Sequence, residues 1–385
     1  MGTRVRCIVC GAPLMTAPLY ECKNMPAESQ TLPTKNELKN DKPISYRLCQ
    51  CSGCGLLQFD SEPVSYYLDS TRAGERCELL INMRRKQYKY LIDKYNLNNK
   101  KFLEIGAGKG GFLKTLKEMS EYDVEEYGIE HNPDFVRLAN EQEGVNVQIG
   151  NPENENLEIS GAPFDVFMSF AYPARLKDPN SMLRLAYKNL KDGGIGLVQV
   201  PSLEHLIKPG GFFDITRDHL AYYNEETLCF LLQKNGFEIL EHGEVGEVYI
   251  YAIVRKRLPI DVQKIWSDIK PLKNEVKHFV QKATKDGRKL AVWCAGHFAF
   301  TVLATTGIGK DVSYIIDNAK FKQGRFAPAS HVPIVSPKHF EEEPVDTILI
   351  LGPIYVDEIV REIRSRCSAE VRIAAMGKDG LHEIV

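Results

Sequence analysis

Long apolar runs are absent from this sequence of 385 residues. No stretch reaches the ~18–20 apolar residues that a membrane-spanning helix needs, and the first residues lack the apolar segment of a secretory signal peptide. An excess of charge is absent as well, because 49 Lys and Arg residues stand against 51 Asp and Glu. Proteins built to bind nucleic acid usually carry a basic excess. The sequence therefore predicts a cytoplasmic protein whose partner is neither a membrane nor a nucleic acid.

The ten cysteines are unevenly distributed, and six of them precede residue 55. Four of the six form two copies of C-x-x-C-G, and these are Cys7, Cys10, Cys51 and Cys54. A C-x-x-C turn directs two thiolates at one ion while the glycine relieves the backbone, and two such turns complete a tetrahedral site. In a reducing compartment, paired thiols indicate a metal more often than a disulfide. We predict a structural Zn²⁺, and a pair of redox motifs is the alternative.

The middle of the chain alternates short apolar strands with helices. A helix is predicted over residues 76–98, and a helix end and turn over 190–194. The predicted strands span residues 101–105, 125–130, 164–169 and 195–200. This alternation is typical of an α/β fold with a doubly wound parallel sheet.

A glycine-rich turn follows the first of these strands. Residues 106–111 read G-A-G-K-G-G, and a helix opens at Phe112. Glycine lets the backbone approach a ligand where a Cβ would clash, and a helix N-terminus offers free N–H groups. Dinucleotide-binding and methyltransferase domains share this opening. The acid Glu104 and the L-K-D-G-G turn resemble S-adenosylmethionine (SAM) enzymes, so we predict SAM, with a nicotinamide dinucleotide as the alternative.

The predicted SAM site takes its residues from the ends of three strands. Glu104 is expected to orient the glycine loop at the methionine end of the cofactor. Glu130, about 20 residues beyond the glycines, is expected to hold the ribose hydroxyls. Ser169 and Phe170 are predicted to line the sulfonium, which the ring of Phe170 or Tyr172 would stabilise, and ordinary core packing of these rings is the alternative. The full predicted set is Glu104, Gly106, Gly108, Gly110, Glu130, Ser169 and Phe170.

The residues after 258 predict a second open α/β sheet. An amphipathic helix over 259–285 leads into a strand at 290–294, a glycine turn and further apolar strands. Ligands bind such sheets at the strand carboxyl ends, where His297, Lys322 and Arg325 are predicted to contact a phosphate or a sugar. Exposed structural side chains are the alternative. At ~100–200 residues per domain, we predict three domains: zinc-binding (1–75), methyltransferase (76–258) and Rossmann-like (259–385).

Together, these motifs resemble one family, the three-domain sugar C-methyltransferases of antibiotic deoxysugar pathways. The family's C-x-x-C-G and C-x-x-C-G-L-x-Q signatures are matched at residues 7–11 and 51–58. Its C-terminal signature is matched at 314–318, 322–325, 332–334 and 357–359. The resemblance implies a monomer that uses SAM to methylate a carbon of a nucleotide-linked keto-sugar, with a third domain that helps to hold the sugar nucleotide.

The catalytic segment departs from the family pattern. Where the family has Y-H-E-H, this chain has Thr216, Arg217, Asp218 and His219, and the family's N-N-V-L-E-H pattern after Ser169 is also replaced. Methylation of a carbon beside a ketone needs a base and a donor to the enolate oxygen, whereas O- or N-methylation needs one base. We predict His219 as the base and leave the methylated atom open.

Neighbouring residues are predicted to complete the substrate pocket. Asp218 is the less certain partner of the base, because in an extended segment its side chain would face away. Arg175 and Arg217 are predicted to hold an anionic group, with a surface ion pair as the alternative. Two tyrosines are expected to close the pocket, Tyr222 and Tyr223. Two more are expected to reach the acceptor from the segment that leaves the zinc-binding domain, Tyr66 and Tyr67.

Two other functions remain open at this stage. Zinc knuckles also precede some RNA methyltransferase domains, but the near-neutral charge argues against RNA. The short basic cluster at residues 84–86 is explained by a solvated helix face. A SAM-binding protein that has lost catalysis is the other possibility, although the retained glycine motif and His219 favour an enzyme.

Overall fold

The computed structural model of the chain describes residues 4–69, 77–366, 370–377 and 380–384. These residues divide into two compact units, Met1–Pro259 and Ile260–Val385. The predicted division into three domains stays a prediction, and its first boundary, at residue 75, lies outside the described residues.

The first unit is built from strands β1 to β11 and helices α1 to α6. Its strands are β1 (Tyr20–Met25), β2 (Ile44–Gln50), β3 (Leu57–Phe59), β4 (Lys100–Ile105), β5 (Val124–Glu130), β6 (Asn146–Ile149), β7 (Phe164–Phe170), β8 (Leu190–Pro201), β9 (Ala221–Tyr222), β10 (Phe237–Val245) and β11 (Tyr249–Lys256). Its helices are α1 (Glu78–Tyr95), α2 (Gly111–Lys117), α3 (Pro133–Leu138), α4 (Pro179–Asn189), α5 (Leu203–Leu206) and α6 (Glu225–Lys234).

Seven strands of this unit form one sheet in the order β10-β11-β8-β7-β4-β5-β6. The strands from β8 to β6 are parallel, whereas β11 runs antiparallel to β8 and β10 antiparallel to β11. The chain therefore winds outward from β4 to one side and from β7 to the other. Ligands bind where the strand order reverses in this way, at the carboxyl ends of the strands. The predicted doubly wound sheet is confirmed.

The central strands form where runs of apolar side chains can be buried on both faces of the sheet. Phe102, Leu103 and Ile105 of β4 are fully buried, as expected for a parallel strand that helices cover on both sides. The turn predicted at residues 190–194 instead begins β8. Leu190 pairs with Phe164 and the next pair is Ile195 with Val166, so the intervening residues form an irregularity within the strand.

A second, four-stranded sheet has the order β1-β2-β3-β9 and is antiparallel throughout. Its first three strands come from the cysteine-rich N-terminal segment. Its last strand, β9, lies just after His219 and pairs Tyr222 with Leu57. The N-terminal segment and the predicted catalytic segment therefore share one sheet, which fixes the position of the catalytic residues.

The second unit is a separate α/β sheet. Its elements are α7 (Gln263–Ala283), β12 (Leu290–Trp293), α8 (His297–Thr306), β13 (Ile315–Ile316), β14 (Ile334–Val335), α9 (Pro337–Glu342), β15 (Thr347–Ile350), α10 (Val356–Arg366), β16 (Arg372–Gly377) and β17 (Gly380–Ile384). The strand order is β14-β13-β12-β15-β16-β17, parallel except for β17. This is the order of a doubly wound dinucleotide-type fold, so the prediction of a second open α/β sheet is confirmed.

Helix α7 buries only part of its predicted apolar face. Val276 and Val280 lie in the core of the second unit, but Ile265 and Trp266 are each 65% exposed. Within the described part of the chain, no helix combines the length and apolar character needed to cross a membrane.

Candidate active site

The glycine loop after β4 and the acid at the end of β5 form one structure. Gly106, Gly108 and Gly110 all have positive φ angles, of 78°, 56° and 82°. The backbone N–H of Gly108 donates to Oε2 of Glu130 at 2.9 Å, and Oε1 accepts from the N–H groups of the next two residues. The structure thus brings the predicted loop and the predicted ribose-binding acid together at the carboxyl edge of the sheet.

The ring of Tyr172 lies so close to the first position of the loop that only glycine fits there. A Cβ on Gly106 would lie 2.7 Å from Cγ of Tyr172, a distance that real contacts do not reach. The tyrosine cannot easily retreat, because it is buried and its hydroxyl donates to the carbonyl of Leu68 at 2.7 Å.

We expect Gly106→Ala to lower stability and SAM affinity more than an alanine at another glycine with the same backbone conformation. Gly193, at φ 73°, is the matched control, since a Cβ there meets nothing within 4 Å. Both variants strain the backbone, but only Gly106→Ala adds an overpacking cost of roughly 1–3 kcal/mol. Urea unfolding and SAM calorimetry check this. Equal destabilisation and equal SAM affinity in the two variants would contradict the role of Tyr172.

The other predicted cofactor residues lie in the same region and are all buried. Glu104 and Ser169 are fully buried, and the Ser169 hydroxyl donates to the carbonyl of Ile105 at 3.2 Å. Phe170 is a core residue that packs against the ring of Phe112 with centroids 5.5 Å apart. The guanidinium of Arg84 lies 3.3 Å from the ring centre of Phe170, so one face of the ring already contacts a cation, and the predicted sulfonium contact stays a prediction.

Arg84 is a site-proximal residue that the sequence reasoning missed. The interpretation of residues 84–86 as a solvated helix face is wrong for Arg84, which is 1% exposed. Its guanidinium lies 4.4 Å from the ring centre of Phe112 and 3.3 Å from Oε1 of Gln199 on β8. The signal that could have found it is helical spacing, since Arg84 lies four and seven residues before the buried Tyr88 and Leu91.

A cavity of about 490 Å³ opens beside the carboxyl ends of β7 and β8. Three predicted catalytic residues, Asp218, His219 and Tyr222, lie on its wall. The wall also includes residues from the N-terminal segment, the strand ends and the turn between β10 and β11, namely Ser29, Gln30, Ala171, Ser202, Val248 and Tyr249. The cavity is therefore assembled from chain segments far apart in sequence.

His219 is neutral at physiological pH. Burial and the nearby positive charge of Arg175 lower its pKa to about 4, although Asp218 and Asp214 act in the opposite direction. A neutral imidazole has a free lone pair and can accept a proton at once. His219 is therefore free to accept a proton at the cavity wall, although its lowered pKa makes it a weaker base than an ordinary imidazole.

Asp218 does not face away from His219 as the prediction of an extended segment would have it. The N–H of His219 donates to the carbonyl of Thr216 at 3.2 Å, and the resulting turn brings both side chains to the cavity. Oδ1 of Asp218 accepts from the hydroxyl of Tyr66 at 2.9 Å and from the N–H of Ser29 at 3.3 Å. Burial and this carboxylate raise the pKa of Tyr66 to about 12.

Arg217 and Tyr222 hold the catalytic segment in place. The Arg217 guanidinium donates to the carbonyls of Ala27, Glu62 and Pro63 at 3.4, 3.0 and 3.4 Å. The predicted role of Arg217 as an anion-binding residue is therefore not supported. The hydroxyl of Tyr222 accepts from the N–H of Thr216 and donates to its carbonyl, so it braces the turn while its ring lines the cavity.

The other two predicted substrate residues of the first unit are Arg175 and Tyr67, and their contacts relate them to the cavity only indirectly. Arg175 is buried and close enough to lower the pKa of His219, which keeps it near the cavity. The hydroxyl of Tyr67 donates to Oε2 of Glu153 at 2.9 Å, and Lys177 lies 5.3 Å from its ring centre. Tyr67 is thus engaged by neighbouring side chains.

The four predicted metal ligands lie together, and their ligand atoms are all within 4.8 Å of one another. Sγ of Cys7 is 3.6 Å from Sγ of Cys54, and Sγ of Cys10 is 3.3 Å from Sγ of Cys51. Zn–S bonds of ~2.3 Å in a tetrahedron place sulfurs about 3.8 Å apart.

The two C-x-x-C turns are built alike. In each, a glycine at φ 75° or 78° donates its N–H to the carbonyl of the first cysteine, from Gly11 to Cys7 and from Gly55 to Cys51. Backbone N–H groups also point at sulfur, as from Cys10 to Cys7 at 3.5 Å. These donors stabilise thiolates, so the donor set fits a divalent cation.

In the second unit, the predicted contacts lie near the carboxyl end of the first strand. His297 is exposed at the first residue of α8. Asp317 follows β13 and its Oδ2 accepts from the N–H of Ala295 and from Nζ of Lys322, at 2.8 and 2.9 Å. Lys322 is thus paired with a carboxylate, and Arg325 is exposed.

The strand order, the glycine loop and the acid of β5 define a SAM-dependent methyltransferase domain of the α/β type. A family model described as "Methyltransferase domain" matches residues 80–242, and one described as "C-methyltransferase C-terminal domain" matches residues 262–375. The protein is an enzyme of this class. It belongs to the C-methyltransferases that carry this C-terminal domain.

Individual relatives are distant. C-methyltransferase NovU of Streptomyces niveus is 22% identical over 289 residues, which are 67% of this chain and 67% of that protein. A SAM-dependent methyltransferase from Clostridium acetobutylicum has 12% identity and a TM-score of 0.38, over 48% of this chain and 94% of the other. A possible histamine N-methyltransferase from Thermotoga maritima has 23% identity and a TM-score of 0.35, over 48% and 98%.

Proposed function

We propose that the enzyme transfers the methyl group of SAM to a carbon beside a carbonyl group in a nucleotide-linked sugar, with His219 as the base. The observation that carries the proposal is the cavity of about 490 Å³, which places His219 beside the carboxyl ends of β7 and β8. The match to a C-methyltransferase C-terminal domain and the likeness to NovU support carbon as the methylated atom.

Methylation of this carbon needs a base that removes its proton and a donor that stabilises the carbonyl oxygen. Bound SAM supplies an electrophilic methyl group. His219, neutral above its pKa of about 4, takes the proton from the acceptor carbon. The electron pair left on that carbon forms the new carbon–carbon bond, and the carbonyl oxygen carries negative charge until it does. A donor on the cavity wall must stabilise that oxygen.

The glycine loop and the acid at the end of β5 fit SAM. Glu130 would hold the ribose hydroxyls, because its carboxylate ends β5 and already contacts the loop through Gly108. The positive φ angles of the loop keep Cβ atoms away from the cofactor's path.

The four clustered cysteines would hold a structural Zn²⁺. Support comes from their sulfur separations and from the N–H groups that point at them. A zinc site of this kind needs reduced cysteines, which favours the cytoplasm.

The test is mass spectrometry of reactions that contain SAM and a panel of nucleoside-diphosphate-linked keto-deoxysugars, with reduced deoxysugars and RNA as controls. We expect a gain of one methyl group on a keto-sugar, at a carbon whose hydrogen exchanges with deuterated water. Methyl transfer to RNA, or to oxygen of the reduced sugars, would show that the proposed acceptor is wrong.

A further inference from the structure

A second histidine lies on the wall of the cavity that contains His219. Nε2 of His205 is 3.0 Å from Oδ2 of Asp214, and both side chains line the cavity. Neither residue belongs to the predicted catalytic set. The cavity therefore contains two imidazole rings, one of which is held by a carboxylate.

The local backbone brings this pair together. Helix α5 begins after Ser202, whose hydroxyl accepts from the N–H of His205 at 3.3 Å. The chain then turns at Gly210, with φ 90°, into the short helix Gly211–Asp214. A Cβ on Gly211 would lie 2.5 Å from the carbonyl oxygen of His205, so only glycine allows this close approach. The contact between His205 and Asp214 follows from that turn.

We propose that His205 is a catalytic residue that donates a hydrogen bond to the carbonyl oxygen of the acceptor, and that Asp214 is its positioning residue. This inference rests on the proposed function. A carboxylate on one ring nitrogen fixes the orientation of an imidazole and sets which nitrogen carries hydrogen. Because Asp214 accepts from the hydrogen on Nε2, the proposed donor is the doubly protonated ring, whose second N–H, on Nδ1, is left for the substrate. Among the described residues, no hydrogen-bond partner of Nδ1 is found.

The division of labour balances the proton transfer. The proton leaves the acceptor carbon for His219, and the electron pair of that C–H bond gives the enolate, whose transient charge on oxygen faces the N–H of His205. The enolate carbon then bonds to the methyl group, whose bond to the sulfur of SAM would break with its electron pair remaining on sulfur. His219 cannot act both as the base and as the donor to the carbonyl oxygen. The nitrogen that takes the proton from carbon carries no hydrogen before the transfer, and the neutral ring lacks the charge of a strong donor.

Other side chains near His219 are engaged elsewhere. Arg217 donates to backbone carbonyls, the Tyr222 hydroxyl donates to the carbonyl of Thr216, and the Thr216 hydroxyl lies 2.7 Å from Oγ of Ser29. Asp218 is an acid whose Oδ1 accepts two hydrogen bonds. We assign the enolate to His205 because its ring lines the same cavity and is held by the carboxylate of Asp214.

The experiment compares His205→Asn, Asp214→Asn and His242→Asn with the parent enzyme, using the keto-sugar nucleotide that the parent methylates. His242 is the matched control, because it also pairs with a carboxylate, Glu225, but does not line the cavity. Values of kcat and KM are measured from pH 5 to 9, with melting temperatures for every variant.

We expect His205→Asn to lower kcat by about 10²–10³-fold with KM changed less than threefold, as for loss of one oxyanion donor. Asp214→Asn should lower kcat less and change the shape of the pH profile, whereas His242→Asn should match the parent. A His205→Asn enzyme within threefold of the parent kcat, or an Asp214→Asn profile identical to the parent's, overturns the inference. A parent enzyme that methylates no keto-sugar overturns the proposed function itself, and the inference with it.

Discussion

Replacing His219 by asparagine should lower kcat for methyl transfer by about 10²–10⁴-fold, the range for loss of a general base. SAM affinity should stay within a few-fold, because the cofactor residues belong to the loop after β4 and to Glu130. Asparagine keeps much of the ring's volume and polarity, so the cavity wall should survive. The measurement is single-turnover methyl transfer beside SAM calorimetry. Unchanged turnover would remove His219 as the base.

The lowered pKa of His219 predicts that stability changes with pH below neutrality. Burial and Arg175 lower the pKa of His219 to about 4, below its ordinary value of 6.5. The folded protein therefore binds fewer protons here than the unfolded chain between pH 6.5 and 4. Its contribution to stability is complete above pH 6.5 and decreases as the pH falls through this window.

The parent enzyme should accordingly lose more stability between pH 6.5 and 4 than His219→Asn does, as measured by urea unfolding. The protonation of His219 should also inhibit kcat/KM only near pH 4, and not near 6.5. Parallel stability curves for the two proteins would contradict the lowered pKa.

Removing the predicted zinc should abolish methyl transfer while SAM binding persists. Zinc binding to small Cys and His sites contributes about 10–16 kcal/mol to their folding, so Cys10→Ser should unfold the N-terminal segment. That segment supplies Ser29 and Gln30 to the cavity wall, and Tyr66 to Asp218. We expect turnover to fall at least 100-fold, because the turn that bears His219 loses its support.

The matched control is Cys22→Ser, which changes a buried cysteine of the same sheet outside the four-sulfur cluster. It should keep one zinc per chain, measured by inductively coupled plasma mass spectrometry, and most of the activity. If Cys10→Ser retained both zinc and turnover, the cluster would not be a structural metal site. Loss of SAM affinity in proportion to turnover would instead show general unfolding.

The sequence predicted those parts of the fold and site that are local. The C-x-x-C-G turns, the glycine loop and the acid of β5 are each defined within a few residues, and buried parallel strands carry apolar runs. The error at residues 190–194 has the same origin. A glycine pair there is typical of a turn, but pairing with β7 draws Leu190 into the strand.

What the sequence determined by itself is therefore the class of enzyme, through the glycine loop, the strand alternation and the four cysteines. The tertiary structure decided which side chains meet at the cavity. Tyr66 and Asp218 are 152 residues apart, yet they share a hydrogen bond. Contacts of this kind have no local period, since they depend on how β9 joins the N-terminal sheet and how α5 and Gly211–Asp214 fold back. That is why the pair of His205 and Asp214 emerged only from the fold.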